Sequence, residues 1–362
     1  MRSSRAYRHR VRALRRQLAA AGCDGLLVTH LPNVFYLCGF TGSAGALLVR
    51  AGGCVLFTDG RYAVQAKQEG HATRVVVSAA GPLKAAGEYL RPREAARLGI
   101  EQAHLTLAQI TVLKASGGHK VRLRRTAGLV EALRAVKQPE EVALMRKAAR
   151  LAQGVLAEVL PLVRPGVREI ELAAELEYRM RLAGASGPAF DTIVASGPRT
   201  ALPHARPTSR RLRQNELVLF DLGAILSNYC CDLTRTVFLG RAPKRVRAWH
   251  RAVWEAHEAA RQAVRPEAPW EDVDRAARQV LERHQLDQYF THSTGHGLGI
   301  EVHEDPRLAR GQKKLLQAGN AITIEPGVYL EGVGGIRIED DIEVTAQGHR
   351  PITRMDSELI QL

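Results

Sequence analysis

The chain has 362 residues, of which 45% are hydrophobic and 25% charged, and a formal net charge of +15. That length exceeds what one hydrophobic core ordinarily supports, so two domains are expected. No run of about 18 apolar residues occurs, which excludes a membrane-spanning helix. The five cysteines form no CxxC pair and follow no secretory leader, which points to reduced thiols in a cytoplasmic protein.

The first predicted element is a helix, because Val11, Leu14, Leu18 and Ala21 recur at helical spacing and Gly22 follows as a C-cap. Its outer face is basic. Basic residues also occur in many other segments, without zinc-finger spacing or an aromatic-basic RNA motif, so no specific nucleic-acid partner is expected. Strands follow at GLLVT (25 to 29), GALLVR (45 to 50) and CVLFTD (54 to 59), with Gly52 and Gly53 turning the chain, and a helical pattern runs from Arg61 to Glu69. These elements predict a mixed α/β domain over residues 1–134.

The pattern changes near Val136. Pro139 suits a first helical turn, and Glu140 and Glu141 complement the positive end of a helix dipole, so a long helix should open a second domain spanning 135–362. Helices are predicted at about 168–184 and 247–264, with another beginning near Pro269. Strands are predicted at 217–226, 232–239, 321–330 and 335–344. The second domain is therefore α+β, and its two similar hairpins hint at an internal duplication.

Antiparallel partners have residue numbers with a constant sum. Asp221 faces Asp232 if the first turn centres between residues 226 and 227. Glu325 faces Glu339 if the second centres on Gly332 within EGVGG. Like charges directly opposite are destabilising, and apolar flanks make the penalty worse, so something positive or a proton must compensate. Four carboxylates plus the glycine-flanked His296 make a ligand set for two divalent ions. Oxygen-rich ligation with one imidazole and no thiolate suits Mn²⁺, Co²⁺ or Zn²⁺ in a hydrolytic rather than a structural site.

The segments FDLGA, CCDLTRTVFLG, HSTGHGLGIEVHE, TIEPGVY and GIRIED together resemble the pita-bread metallopeptidases, nearest to the Xaa-Pro aminopeptidase and prolidase branch. LPNVFYLCGFTGSAGALLV and LFTDGRYAVQA resemble the N-terminal accessory domain that this branch shares with creatinase, and FDTIVASGPRTALPHARPT resembles the stretch ahead of the first aspartate. The resemblance covers nearly the whole chain. It implies an α/β N-terminal domain with a mixed sheet followed by an α+β pita-bread catalytic domain.

The resemblance also implies metal ligands Asp221, Asp232, His296, Glu325 and Glu339, with Asp232 and Glu339 bridging two divalent ions, Mn²⁺ first and Co²⁺ or Zn²⁺ next. Glu325 would take a proton from a bridging water. His204 and His303 would stabilise the tetrahedral intermediate. His292 and Tyr329 would line the substrate pocket, Arg337 would bind a substrate carboxylate there or brace a ligand, and Glu301 and Glu304 are assigned structural roles.

Arg199 and Ser293 depart from the usual pattern; Arg199 either faces solvent or biases the substrate entrance toward acidic peptides. The implied activity is Xaa-Pro aminopeptidase, with Xaa-Pro dipeptidase as the alternative and a catalytically silent peptide- or protein-binding relative as a different class. Proline-containing peptides are the implied substrates. A homodimer is implied, its accessory domain narrowing the neighbour's active-site entrance, with no membrane partner.

Overall fold

The computed structural model describes residues 4–90, 97–118 and 121–362, and the chain divides into two compact units, Met1–Arg134 and Ala135–Leu362. The first contains α1 (Ser4–Ala20), β1 (Gly25–Val28), α2 (Leu31–Cys38), β2 (Gly45–Arg50), β3 (Gly53–Thr58), α3 (Ala63–Glu69) and β4 (Arg74–Val77). Its remaining elements are α4 (Pro82–Leu90), β5 (Arg97–Glu101), α5 (Leu107–Gly117), β6 (Arg122–Thr126) and α6 (Leu129–Ala135).

The six strands form one mixed sheet in the order β4-β3-β2-β1-β5-β6. The meander β1-β2-β3 is antiparallel, and the flanking strands add in parallel. One face buries Leu27, Leu48, Phe57, Leu98 and Ile100 against α4 and α5. On α1 the buried stripe is Tyr7, Arg10, Leu14 and Leu18; the predicted Val11 and Ala21 are only half-buried. Arg10 is tolerated there because its guanidinium lies 4.2 Å from the centre of the Tyr36 ring and donates to the Tyr36 carbonyl at 3.0 Å.

The second unit begins with α7 (Pro139–Val159), α8 (Glu169–Leu182), β7 (Gly187–Pro188) and β8 (Ile193–Ser196). Next come β9 (Glu216–Leu222), β10 (Ala224–Leu226), β11 (Tyr229–Cys230), β12 (Leu233–Leu239), α9 (Lys244–Ala263) and α10 (Trp270–Arg283). The chain ends with β13 (Gly295–Gly297), β14 (Glu304–Leu308), β15 (Ala321–Ile324), β16 (Gly327–Leu330), β17 (Gly334–Arg337), β18 (Asp340–Thr345) and β19 (Gly348–Pro351). Two helices followed by a long hairpin thus occur twice. In the second half, α9 and α10 pack Ala252, Val253, Val273 and Ala277 onto Ile322, Ile324, Val328, Ile336 and Ile342 of the strands.

Each of the four long strands expected here is broken in two or shortened near an acidic residue. The first hairpin is discontinuous around Gly223 and Cys231–Asp232, where a Cβ on Gly223 would lie 2.3 Å from the Cys231 carbonyl oxygen. The second breaks at Glu325–Pro326 and Ile338–Glu339. Pro326 has no N–H to give to a ladder, which interrupts pairing there. All five cysteines are buried and free. No helix among the described residues is long and apolar enough to cross a membrane.

Candidate metal centre

The first hairpin turns at Ser227 and Asn228, which have φ of 52° and 62°, as a two-residue turn with both central residues left-handed requires. The turn therefore centres between residues 227 and 228, one residue later than expected from sequence. Asp221 consequently pairs with Thr234 rather than with Asp232, which lies just before β12. A two-residue change in the partner sum preserves the face on which side chains point, so the local error leaves Asp232 near the same centre.

The second hairpin keeps one register on both sides of its break. Ala321 to Ile324 pair with Glu343 to Asp340, and Gly327 to Leu330 with Arg337 to Gly334. Both sets have the partner sum expected for Glu325 and Glu339, which therefore face each other across the gap in the ladder. There the backbone turns to other partners. Glu325 N–H donates to the Thr294 carbonyl at 2.8 Å and Glu339 N–H to the Thr234 carbonyl at 3.2 Å.

Thr234 joins the hairpins. It pairs with Asp221 on one side and bridges to Glu339 on the other, while its hydroxyl donates to Glu339 Oε2 at 2.6 Å and accepts from Arg337 Nε at 3.1 Å. One threonine thus sets the spacing between acidic residues more than 100 positions apart.

His296 lies on β13. Its Nδ1 is 3.0 Å from its neighbour's carbonyl, Gly297 O, which requires a proton on Nδ1 and leaves Nε2 as a lone-pair donor. That Nε2 lies 3.5 Å from Glu325 Oε1 and 3.8 Å from Asp232 Oδ2. The flanking glycines have a steric role: a Cβ at Gly295 would lie 2.0 Å from the Thr323 carbonyl oxygen, and one at Gly297 would lie 2.2 Å from that of Asp305. They admit neighbouring backbone close to the site.

Asp232, His296 and Glu339 offer ligand atoms that all lie within 4.8 Å of one another. Glu325 adjoins this trio through His296. Asp221 is drawn toward Arg337, whose guanidinium contacts Asp221 Oδ2. Buried oxygens Asp221 Oδ1 and Asp232 Oδ1 have no hydrogen-bond partner.

Burial, reinforced by the neighbouring carboxylates, pushes Asp232 and Glu339 well above the usual carboxylate range. Burial also raises Glu325, although His292 and Arg337 pull it down. Orphaned acceptors among crowded acids call for positive charge, and the hard oxygen donors plus one neutral imidazole fit divalent cations.

His303 meets the His296 ring edge-to-face at 4.4 Å between centroids. His303 and His204 are exposed, and His204 is close enough for its charge to depress both His303 and His292, in each of which desolvation is the larger cause. His292 Nε2 is 2.8 Å from Tyr329 Oη, and its Nδ1 is 4.0 Å from Glu325 Oε2. Tyr329 is buried, and desolvation pushes its phenol up to about 12.

Arg337, 3% exposed, gives its donors to Tyr329 Oη, Thr234 Oγ1, Asp221 and the Pro203 carbonyl. Of its two expected roles, these contacts match the brace, with Asp221 as the braced residue, and a substrate carboxylate would have to displace them. Arg199 is half-buried, and its Nη2 donates to the Arg206 carbonyl. Its Nε pairs with the fully buried Glu169 at 3.1 Å. Glu304 is structural: it pairs with Lys137 at 2.9 Å and accepts from the N–H groups of Ile300 and Glu301.

Three supports escaped the sequence reading. Asp341 accepts from the Asp232 N–H at 3.0 Å, and its position two residues after Glu339 is the period-two signal that could have revealed it. On α10, Asp274 accepts from Thr294 N–H and Oγ1 at 3.1 and 2.8 Å. Arg278, one turn later, pairs with Asp274 and donates to the His292 carbonyl at 2.6 Å. This spacing of four is visible in sequence, but the target is not.

The family model for metallopeptidase family M24 matches residues 143–346, and that for the creatinase/prolidase N-terminal domain matches 10–136. The chain is 34% identical over 339 residues to the Xaa-Pro dipeptidase of Pyrococcus horikoshii, covering 93% of this chain and 94% of that protein. Among solved structures, the Xaa-Pro dipeptidase from Bacillus anthracis is 35% identical with a TM-score of 0.94, covering 98% of this chain and 100% of that one. The X-Pro aminopeptidase from Thermotoga maritima is 32% identical with a TM-score of 0.89, covering 96% and 100%.

Proposed function

We propose that this chain, which belongs to metallopeptidase family M24 and carries a creatinase/prolidase N-terminal domain, is an Xaa-Pro dipeptidase. The dipeptidase names of its relatives at 34% and 35% identity favour that activity over the aminopeptidase expected from sequence. The observation that carries the hydrolytic reading is the meeting of two hairpins at Thr234, which gathers buried acidic groups and His296 with carboxylate oxygens left unsatisfied.

Asp221, Asp232, His296, Glu325 and Glu339 would hold two divalent cations, for which Mn²⁺ is proposed because oxygen-rich donors suit it. When bound, such cations polarise a carbonyl and acidify water. The chain's own residues supply the remainder. Glu325 accepts the proton of the attacking water and returns it to the departing proline nitrogen as the C–N bond breaks. His303 and His204 offer hydrogen bonds to the carbonyl oxygen as it gains negative charge. His292 and Tyr329 form the adjoining wall, and Arg337 holds Asp221.

An X-Pro bond has no N–H for an ordinary peptidase to grip, so recognition must rest on the ring and the neighbouring carbonyl. A homodimer is proposed on the family resemblance. A cytoplasmic location is proposed on the five free, buried thiols.

The deciding assay compares X-Pro dipeptides, longer X-Pro peptides and X-Ala controls, with metal content measured in parallel. Rapid cleavage of X-Pro dipeptides alone is expected. Equal or faster cleavage of longer peptides would establish the aminopeptidase instead, and full activity in metal-free protein would overturn the hydrolytic reading.

A further inference from the structure

The net positive charge is confined almost entirely to one unit. Residues 1–134 contain 21 Lys and Arg against 7 Asp and Glu, whereas residues 135–362 contain 31 against 30. The second unit is close to neutral. The excess in the first arises mainly from missing acids, because basic residues are almost equally dense in the two units.

On α1, Arg5, Arg8, Arg12 and Arg16 are exposed at steps of three and four, opposite the buried stripe of Tyr7, Leu14 and Leu18. They form one basic strip roughly 16 Å long. The turn that follows α1 lies beside β6, the edge strand of the sheet, because Arg124 Nη1 lies 3.0 Å from where a Cβ on Gly22 would stand. Arg122, two residues earlier and also exposed, shares that face of β6.

Among the described residues, no carboxylate pairs with Arg12, Arg16, Arg122 or Arg124. Exposed helical arginines of the second unit do have partners one turn away, as in Arg251–Glu255 and Arg275–Asp272. Like charges one turn apart repel and cost helix stability, a cost that a polyanion would relieve.

We propose that the first unit is a docking surface for the phosphate backbone of duplex nucleic acid, engaged by the arginine strip of α1 and β6 without reading base sequence. This surface shares no residue with the peptidase site. Arginine presents a planar fork that matches phosphate oxygens. Neither α1 nor β6 exposes a large apolar side chain to enter a lipid interface, and neither exposes a Phe, Tyr or Trp ring to stack on unpaired bases, the exposed ring on α1 being the smaller imidazole of His9. Backbone phosphate is the ligand chemistry that remains. Such contacts carry no sequence information, consistent with the lack of a recognition motif.

The test is fluorescence anisotropy of a labelled random-sequence duplex with the full-length chain at about 50 and about 200 mM salt. Four neutralised phosphates predict a slope of roughly −3.6 in log affinity against log salt, hence a loss of roughly 150-fold across that range. Replacing all four unpaired arginines (R12Q, R16Q, R122Q and R124Q) should bring the slope near zero and leave X-Pro hydrolysis unchanged. The double variant R12Q/R16Q should halve the slope, and R251Q/R275Q in the second unit should not change it. The proposal is overturned by absence of duplex binding at the lower salt, by wild-type binding in the fourfold or double variant, or by phosphatidylserine vesicles binding as tightly as duplex.

Discussion

Replacing Thr234 with valine keeps the shape of the side chain and exchanges its hydroxyl for a methyl group. Two contacts disappear: the 2.6 Å donation to Glu339 and the 3.1 Å acceptance from Arg337. Both involve groups that are charged when ionised, and such hydrogen bonds contribute about 1.5–3 kcal/mol each. Arg337 keeps its other acceptors, so we expect a net loss nearer about 3 kcal/mol than the full sum. For a unit of this size that is a fall of roughly 6–12 °C in Tm.

Groups that orient ligands typically contribute 10- to 100-fold in metal affinity, so chelator competition should show Mn²⁺ binding weakened by roughly that factor. Thr234→Ser, which restores the hydroxyl, should recover most of both losses. If Thr234→Val melts within about 1 °C of the parent and keeps its metal affinity, the hairpins are not joined through this hydroxyl and the reasoning fails.

Asp232→Ala and Glu339→Ala should abolish hydrolysis with metal content below that of the parent. His303→Ala should keep its cations and lose roughly 100- to 1,000-fold in kcat, as expected on removing a donor to a developing oxyanion. Equal metal loss in all three would remove the distinction drawn between them. Gly295→Ala places a methyl group 2.0 Å from the Thr323 carbonyl oxygen and must part β13 from β15. Chemical denaturation should show a loss of at least about 1–3 kcal/mol. Gly154→Ala, with nothing within 4 Å on α7, should be neutral or stabilising by up to about 1 kcal/mol.

His250 is buried on α9, and desolvation aided by Arg235 pushes its imidazole down from 6.5 to about 4. Between those values the unfolded chain holds a proton that the folded chain lacks. Its contribution is therefore complete above pH 6.5 and is lost by about 3 kcal/mol as pH falls to 4. His250→Gln should flatten the fall in stability over that window, measured by denaturant titration at each pH.

Much of the architecture was legible because its signals are local. Pro139, Glu140 and Glu141 mark the start of α7, and the apolar alternation and glycines mark the first three strands. The EGVGG turn carried the register of the second hairpin, so the opposition of Glu325 and Glu339 followed from residue numbers alone. The first hairpin was placed one residue early because a Ser-Asn pair can start a turn at either of two positions. The left-handed φ values of Ser227 and Asn228 decide which.

What the sequence by itself determined was therefore the period and the acidic face of each hairpin and the turn of the second, all consequences of interactions within a few residues. Folding decided which hairpin edge met which. That choice placed Thr234 between Asp221 and Glu339, committed Arg337 to Asp221, and brought Asp341 under Asp232. Apart from the pairing of Thr234 with Asp221 inside one hairpin, these contacts join residues more than 100 positions apart, where no local periodicity reaches. They are selected because each buried polar group must find a partner in the packed interior.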